Sequence, residues 1–406
     1  MTARLRFSLL VCVLVHLSFL PDARAVWDDP ADSPLRLTGY VKTLALGQEP
    51  ALPGLSATAT DLTRARIMLE GDIGSWLSWT VHYEHVGIIN PSSETRAGLF
   101  SGDRQANGSS VLPFDWTARH NSGFVWRHAL DRANVQLSLP AADIIIGRQA
   151  VSWGVGRVWT PADLFVAFSP VAIDQEFKPG IDAFRAKVSL GQFSQLDAVY
   201  AAFDESFRHH AMGLRGQTSV RDFDLGLMAG RFFHDLVVGP FFDGQLRGVG
   251  VRGEFTFTRN NAGRVYERRT FFRAVSSVDY RFLNGLYALL EYYYNGFGQA
   301  DADSYVRLAT SRRLARGEIF NLGQHYLGGL LDYEFHPLVR GFLFGQWNLL
   351  DLSGLVGPLI SVSISDEADL RLGAYFPWGA RIRGTRLRSE YGLYPRIYYA
   401  QLRLYF

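Results

Sequence analysis

Between residues 147 and 182 the chain concentrates residue types that can hold charge in a fixed geometry. They run Gly147-Arg148-Gln149, Trp153-Gly154, Gly156-Arg157, Trp159, Pro161, Asp163, Pro170, Asp174, Glu176, Lys178, Pro179-Gly180 and Asp182. Gly154 and Gly156 permit positive φ or close backbone approach, and Pro161 and Pro170 stiffen the segment. Asp163, Asp174, Glu176 and Asp182 can pair with Arg148, Arg157, Lys178 and Arg185. A loop of about 28 residues stays irregular unless something orders it. Ordered against a wall, such charges narrow a passage and select solutes by sign. The same pairs would also pin the loop as a cap, and both roles can hold together.

Bond-making chemistry is poorly provided. The sequence has no G-x-S-x-G, H-E-x-x-H or P-loop, and Gly154-Val155-Gly156 does not continue into a third glycine at dinucleotide-binding spacing. His209-His210 with Asp204 and Glu205, or His82 with Glu84, could be offered as acid–base groupings. Adjacent histidines on a strand point to opposite faces, and mixed polar i, i+2 pairs suit any wet strand face. No catalytic residues are therefore assigned. The lone cysteine, Cys12, lies near the N-terminus, so residues 26–406 contain no thiol for a disulfide, metal or redox site. Asp301-x-Asp303 could bind calcium in a loop, but that spacing alone is weak. No cofactor or metal is expected.

Charge gives no hint of nucleic-acid binding. The formal net charge of +2 includes Arg4, Arg6, Arg24 and Asp22, so residues 26–406 sum to zero. Arginines number 38 and lysines 3. A GC-rich genome is the simpler cause; guanidinium ladders, whose planar forks hold carboxylates or sugars, are the functional one.

The elements that must position these residues are strands. Arg4 and Arg6 precede an apolar run from Phe7 to Leu20, followed by Pro21 and Ala23-Arg24-Ala25. This is the pattern of a secretory signal peptide cleaved near Ala25. No later window offers the roughly 18 uninterrupted apolar residues of a membrane-spanning helix, so insertion would be by strands. The C-terminal strand, Arg396 to Phe406, alternates Tyr398, Ala400, Leu402, Leu404 and Phe406 with Gln401 and Arg403. Its apolar face would be covered by lipid.

Other segments alternate over the roughly 9–11 residues that a tilted strand needs to cross hydrocarbon. Ser78, Thr80, His82 and Glu84 oppose Leu77, Trp79, Val81 and Tyr83; Arg252 and Glu254 oppose Val251 and Phe255; Arg273, Ser277, Asp279 and Arg281 oppose Phe272, Ala274, Val278 and Tyr280. Charge shares one face on strand after strand, as a polar lumen inside a lipid-facing wall requires.

Candidate strands are 35–47, 61–72, 75–87, 129–139, 143–152, 181–191, 194–203, 208–218, 223–233, 245–258, 270–282, 285–295, 322–335, 338–350, 356–365, 369–376, 386–393 and 396–406. The total is eighteen. Short turns such as Gly71–Gly74 and Leu283-Asn284-Gly285 contrast with long connections at 88–128, 153–180 and 296–321. Strict up-and-down counting puts 71–74 and 283–285 on opposite sides, so one strand is miscounted between 203 and 270.

The final strand resembles the C-terminal signature strand of bacterial outer-membrane β-barrels, with Tyr398, Leu402, Leu404 and Phe406 as the assembly signal. The 147–182 segment, about 36 residues, resembles the strand-to-loop segment of alginate-export-type and related porin-like barrels. These resemblances imply a single transmembrane antiparallel up-and-down β-barrel over 26–406, with about 18 strands (16–18). They also imply long extracellular loops, short periplasmic turns and 153–180 as an inward-folded loop. The expected function is an outer-membrane channel for passive diffusion of polar, anionic or sugar-like solutes. Its constriction would be drawn from Arg148, Arg157, Asp163, Asp174, Glu176, Asp182, Arg185, Arg252, Glu254, Arg273, Asp279 and Arg281. The implied partners are outer-membrane lipid, the barrel-assembly machinery, and a small polar solute or a polysaccharide. Alternatives are an exopolysaccharide export channel, a barrel-embedded lipid-modifying enzyme tested first at His82 and His209, or a plugged structural barrel.

Overall fold

The computed structural model describes residues 34–51, 54–90, 111–121, 123–204, 206, 209–261, 268–315, 317–382 and 386–406. The expected signal peptide lies outside the described residues, as do most of the 88–128 connection and Glu205. Nineteen strands follow one another: β1 Leu35–Glu49, β2 Thr58–Ile73, β3 Leu77–Ile89, β4 Asp115–His120, β5 Phe124–Leu139, β6 Ala142–Gln149, β7 Ile181–Ser189, β8 Ser194–Ala202, β9 Ala211–Val220, β10 Phe223–Phe232, β11 Asp235–Leu246, β12 Val249–Asn260, β13 Thr270–Arg281, β14 Tyr287–Asn295, β15 His325–His336, β16 Val339–Asn348, β17 Gly354–Ser365, β18 Ala368–Trp378 and β19 Arg396–Tyr405.

Eighteen of them close into one antiparallel barrel. Each pairs with its sequence neighbours, β3 pairs β5 directly, and β19 returns to β1 over Tyr40↔Tyr405 to Glu49↔Arg396. β4 is the exception. β6 reaches only as far as Ala133 on β5, and β4 pairs with β5 above that point, from Ala129 to Val125. It is a short extra strand on the rim, not a stave.

Every connection at one end is a tight turn, at 74–76, 140–141, 190–193, 221–222, 247–248, 282–286, 337–338 and 366–367. The other end carries the long connections and is called the loop end. β11 resolves the parity fault in the sequence reading. Gly239-Pro240 reads as a break, yet both lie inside β11, where Pro240 faces Leu227 of β10. Proline lacks the ladder N–H, and the β12 side shows no pairing between Val238↔Phe257 and Phe241↔Glu254. The turn before β11 is also unsignalled, because Phe233, not glycine, takes φ 55°. In compensation, 386–393 is no strand: Leu387 and Tyr391 are buried, and Tyr391–Leu393 forms a 3₁₀ turn. The total of eighteen thus survived two opposite errors.

Alternation sorts the two faces as a transmembrane barrel demands. On β12, Glu254 and Thr256 are 0% exposed and Thr258 1%, while Phe255 and Phe257 point outward at 40% and 51%. Leu227, Leu236, Val238, Phe272 and Leu290 extend that exposed apolar exterior to neighbouring strands. Among the described residues no helix is long and apolar enough to cross a membrane. Two of the apolar clusters among the described residues lie around Trp159, Tyr293 and Tyr326 and around Trp153, Phe165 and Phe232. Both are completed by the β6–β7 connection, so the loop supplies part of the core that the wall lacks.

The closing seam has little room. Phe406 exchanges backbone hydrogen bonds with Gly39 at 2.8 and 3.0 Å. A Cβ on Gly39 would stand 2.3 Å from the Phe406 ring and 2.6 Å from the Arg66 carbonyl. Gly39→Val should therefore strain the β1–β19 closure by about 1–3 kcal/mol, read as a lower urea midpoint for the heat-modifiable folded form.

Candidate functional site

The β6–β7 connection, residues 150–180, leaves the wall at Gln149 and enters the lumen. Its departure is stapled. The Arg148 guanidinium donates to Asp182 at 2.9 Å, to Asp115 at 2.9 Å and to the Leu112 carbonyl at 2.9 Å, and is 2% exposed. Arg148 and Asp182 therefore fasten the loop's two ends to each other and are not pore-facing. Inside the loop, Asp163 accepts from the N–H groups of Trp153 at 2.7 Å and Gly154 at 3.0 Å, and pairs with Lys178 at 2.8 Å. Burial lowers the Lys178 pKa, and the Asp163 carboxylate opposes that shift.

Two glutamates of the opposite wall hold the loop's middle. Glu254 on β12 accepts N–H groups from Val155 at 2.5 Å, Gly156 at 3.1 Å and Ala162 at 2.9 Å. Glu291 on β14 accepts those of Arg157 at 2.8 Å, Val158 at 3.0 Å and Trp159 at 2.8 Å. Each is 0% exposed. Consecutive N–H groups aimed at one anion form a nest, here filled by the protein's own carboxylates. Arg273 of β13 adds a guanidinium bond to the Pro161 carbonyl at 2.9 Å.

Two indoles lock the path. Trp153 donates to Asp197 of β8 at 2.9 Å and lies against Gly213, where a Cβ would come within 2.9 Å of the ring. Trp159 donates to Asn321 at 2.8 Å, stacks on Tyr293 and covers Gly328, where a Cβ would come within 2.6 Å. Glycine at these two wall positions provides the flat floor each indole needs.

The loop then returns along β1 and β2. Asp174 meets Arg64 at 3.2 Å and Lys42 at 3.5 Å, and Glu176 meets Lys42 at 2.5 Å and Arg403 at 3.5 Å. Burial would raise the Asp174 pKa, but Arg64 and Lys42 bring it below the ordinary carboxylate value. Asp131 receives the Gly180 N–H at 3.0 Å and the guanidinium groups of Arg66 and Arg132.

These contacts revise several expected pairings. Arg185 pairs with Asp197 at 2.6 Å, not with the loop carboxylates, and Asp174 and Glu176 use Lys42, Arg64 and Arg403. Arg252 is bound to Asp243 and Asp279 within the wall. Arg281 lies at the turn end, exposed, donating to the Gly285 carbonyl, and so stands apart from the loop. Arg157 is exposed and its side chain has no ion-pair partner among the described residues. The sequence reading passed over Lys42, Asp131 and Asp197. Asp131 was hidden by a bulge between His82/Tyr83 and Arg132/Leu130 that breaks its alternation; Lys42, one of three lysines on an otherwise apolar stretch, was the signal available. His82 bonds Glu70 at 3.1 Å, while Glu84 holds Arg64 and Arg66, so the first proposed acid–base pair is divided. His209 does meet Asp204, on an exposed connection.

At the loop end, Glu390 joins three connections. Its carboxylate accepts from Asn321 and the Leu322 N–H, both at 3.2 Å, from Asn348 at 3.0 Å and from the Tyr326 hydroxyl. Its own N–H donates to Asp351 at 2.8 Å. Burial pushes its pKa up to about 7, with no pairing cation among the described residues. Asp301 caps the 3₁₀ turn Ala302–Ser304, and Asp303 lies 3.6 Å from Arg386. Among the described residues, no three His, Cys, Asp or Glu side chains group to hold a metal.

No family model matches the chain and no curated protein matches it. Solved structures do match in fold. The crystal structure of Acinetobacter baumannii OccAB3 aligns with TM-score 0.57 and 9% identity over 92% of this chain and 99% of that one. OccAB4 of the same organism gives 0.56 and 8% over 93% and 100%, and OccAB2 gives 0.54 and 7% over 93% and 99%. At these identities the likeness is one of fold. The resemblance to alginate-export-type channels gains no support from them.

Two outcomes follow from the clamp and the cluster. Glu291→Ala leaves the N–H groups of 157–159 without their acceptor, at about 1–3 kcal/mol each where no water replaces it; their amide hydrogen exchange should quicken at least roughly tenfold. For Glu390 the folded chain keeps the proton to about pH 7, whereas an unfolded carboxyl releases it near 4.5. Stabilisation present below the lower value is thus lost as pH rises to the higher one, by up to about 3 kcal/mol. Denaturant titrations from pH 4 to 8 should show this loss in the wild type and a loss smaller by that amount in Glu390→Gln.

Proposed function

We propose that this chain is an outer-membrane channel through which polar solutes diffuse passively, anions more readily than cations. The observation that carries this reading is a closed, lipid-faced barrel with a charged interior across which a loop is fixed by wall carboxylates. Closed walls with a polar lumen serve passage across a bilayer, and an inward loop sets the width of that passage. The fold likeness to the OccAB barrels supports a porin-like channel over an enzyme.

The sign of selectivity follows from which charges are already paired. Glu254 and Glu291 are occupied by backbone N–H groups, and Asp131, Asp174, Asp182 and Asp197 by cations. Arg157, Arg215 and Arg371 have no ion-pair partner among the described residues; Arg215 bonds only Gln217 and lies over Phe241 at 4.1 Å. Surplus guanidinium in a low-dielectric mouth raises the local concentration of anions. Delivery would use the N-terminal signal, and assembly would use the last strand, read by the barrel-assembly machinery at Tyr398, Leu402, Leu404 and Phe406. Export of an exopolysaccharide has no observation of its own in the structure.

Planar-bilayer recordings of purified protein test the reading. Discrete conductance steps with chloride favoured over potassium are expected, and Arg157→Glu should lower that preference at least about twofold. Folded, heat-modifiable protein that never conducts would overturn the channel.

A further inference from the structure

A second polar site lies on the outside of the wall, where β3, β4 and β5 meet near the loop end. Tyr83 and His85 alternate with the inward-facing His82 and Glu84, so they point away from the lumen. His85 stands opposite His128, Trp116 opposite the same His128, and Arg119 opposite Trp126. Side chains opposite one another in register share a face. His85 lies eight residues beyond Leu77 on β3, which at a tilt of about 35–45° is roughly 20 Å up the barrel. That is near the upper border of an apolar band about 25 Å tall, the level of lipid headgroups. The level is marked elsewhere on the wall. Tyr83 is hydrogen-bonded to His128 Nδ1, and the exposed Tyr200 and Tyr292 are likewise bonded to Nδ1 of His210 at 2.6 Å and of His325 at 2.7 Å. Each tyrosine is on a strand rising to the loop end, and each histidine is on, or just before, the next stave. A ring with one wet edge belongs at such an interface.

At β3 and β5 the rim strand β4 adds more than a girdle needs. Trp116 lies flat on His128, with centroids 5.1 Å apart and 9° between the planes, and Trp126 packs 5.1 Å from the same ring and 5.5 Å from His85. The two imidazoles are 5.1 Å apart. Both indoles remain exposed, and Arg119 is exposed with no ion-pair partner among the described residues. The Trp126 indole donates to His85 Nδ1 at 3.2 Å. An indole can only donate, so His85 carries its proton on Nε2; with the Tyr83 hydroxyl as donor, His128 does the same. Each Nδ1 is thus filled from within, and each Nε2–H is left for an acceptor from outside. No carboxylate of these strands competes for them. Glu84, Asp115 and Asp131 turn inward to Arg64, Arg66, Arg132 and Arg148.

We propose that this outward face binds the phosphorylated sugar headgroup of a membrane glycolipid. The two imidazole N–H groups and the Arg119 guanidinium take the phosphate, and the exposed indoles take the sugar ring. A guanidinium fork matches phosphate oxygens, and a flat indole with a polar edge suits the C–H face of a pyranose at the membrane border. The apolar exterior of the barrel continues directly into this face, so an occupant anchored in the bilayer reaches it without leaving the membrane. Tyrosine and tryptophan alone would position a barrel in lipid; an unpaired guanidinium and two outward imidazole donors add recognition of an anion. Trp116 and Arg119 come from β4, a strand that closes no part of the barrel. The inference uses the barrel's place in an outer membrane and none of its conduction.

Native mass spectrometry of the detergent-solubilised full chain, titrated with bisphosphorylated lipid A, tests this. Phosphatidylglycerol serves as the sugar-free anionic lipid and glucosamine 1-phosphate as the headgroup without an anchor. Wild type should retain lipid A at least roughly tenfold more tightly than either control. Arg119→Ala, which leaves every stave intact, should weaken lipid A roughly tenfold, and His85→Ala/His128→Ala at least as much. Trp116→Ala should cost about threefold for lipid A and nothing for phosphatidylglycerol. His325→Ala, which breaks an equivalent tyrosine–histidine pair away from β4, should change neither. Folded, heat-modifiable Arg119 and histidine variants that hold lipid A as wild type does overturn the proposal. So does phosphatidylglycerol binding as tightly as lipid A, which would make the face a general anionic surface, and so does glucosamine 1-phosphate binding equally well, which would make the ligand a soluble one. Loss of lipid A from these variants beside a silent bilayer would sink the channel and support the site.

Discussion

The architecture turns on two carboxylates, Glu254 and Glu291, that form no ion pair among the described residues. Residues 150–180 form no regular secondary structure, so their backbone N–H groups have no ladder, and inside a barrel they cannot all reach bulk water. Each unmet group would carry the full desolvation penalty. Glu254 and Glu291 remove six of these penalties with two side chains, one from β12 and one from β14. The exchange is reciprocal, since a buried glutamate is itself costly until donors surround it. Neither the loop path nor the glutamates would be stable alone, and this mutual dependence makes an irregular segment a fixed part of the lumen.

With the loop fixed, the abundance of arginine acquires structure. Arg148 fastens the loop's ends, Arg66 and Arg132 share Asp131, Arg185 is tied to Asp197, and Arg252 links two carboxylates of its own wall. These guanidiniums are framework. A planar fork reaches two partners at once where an ammonium acts as a point charge. Arg157, Arg215 and Arg371 are among the cations that form no ion pair among the described residues, and on the proposed channel reading a solute would meet them. A census of lumen arginines therefore overstates the field a solute experiences, because most of that charge is neutralised within one or two bonds.

What was legible in the sequence was whatever depends on period two. The lipid face of β12, the charged face of β13 and the terminal strand follow from alternation alone, and the inward loop followed from its density of glycine, proline and charge. What failed did so for local reasons. β11 was lost because Gly239-Pro240 imitates a turn while Phe233 occupies a real one; 386–393 was gained because a buried loop can alternate by chance. At the site, Glu254 was expected to line a constriction; the role it has, as an acceptor for loop backbone, leaves no mark in a sequence. Any residue can supply an N–H, so Val155, Val158 and Ala162 carry no signal. The partners of Asp174 and Glu176 were misassigned because nearby arginines in sequence were preferred to Lys42, which only closure through β1 brings opposite the tip.

The same hydrogen bonds connect the lumen to the outer surface. The Trp159 indole donates to Asn321, and the Asn321 amide donates in turn to Glu390, which also gathers Tyr326 and Asn348. Gln346 reaches the Pro170 carbonyl from one side and accepts from Tyr391 on the other. The inward loop therefore has two supports of different kind: the glutamates of β12 and β14, and a network of side chains beneath the loop-end connections. The second contains Glu390, a buried carboxyl whose burial holds its proton near neutrality. Charging Glu390 would disturb Asn321 first and Trp159 next, while Glu254 and Glu291 still hold the backbone on either side. Such a change would loosen the indole end of the loop without removing any of the six hydrogen bonds that form the clamp.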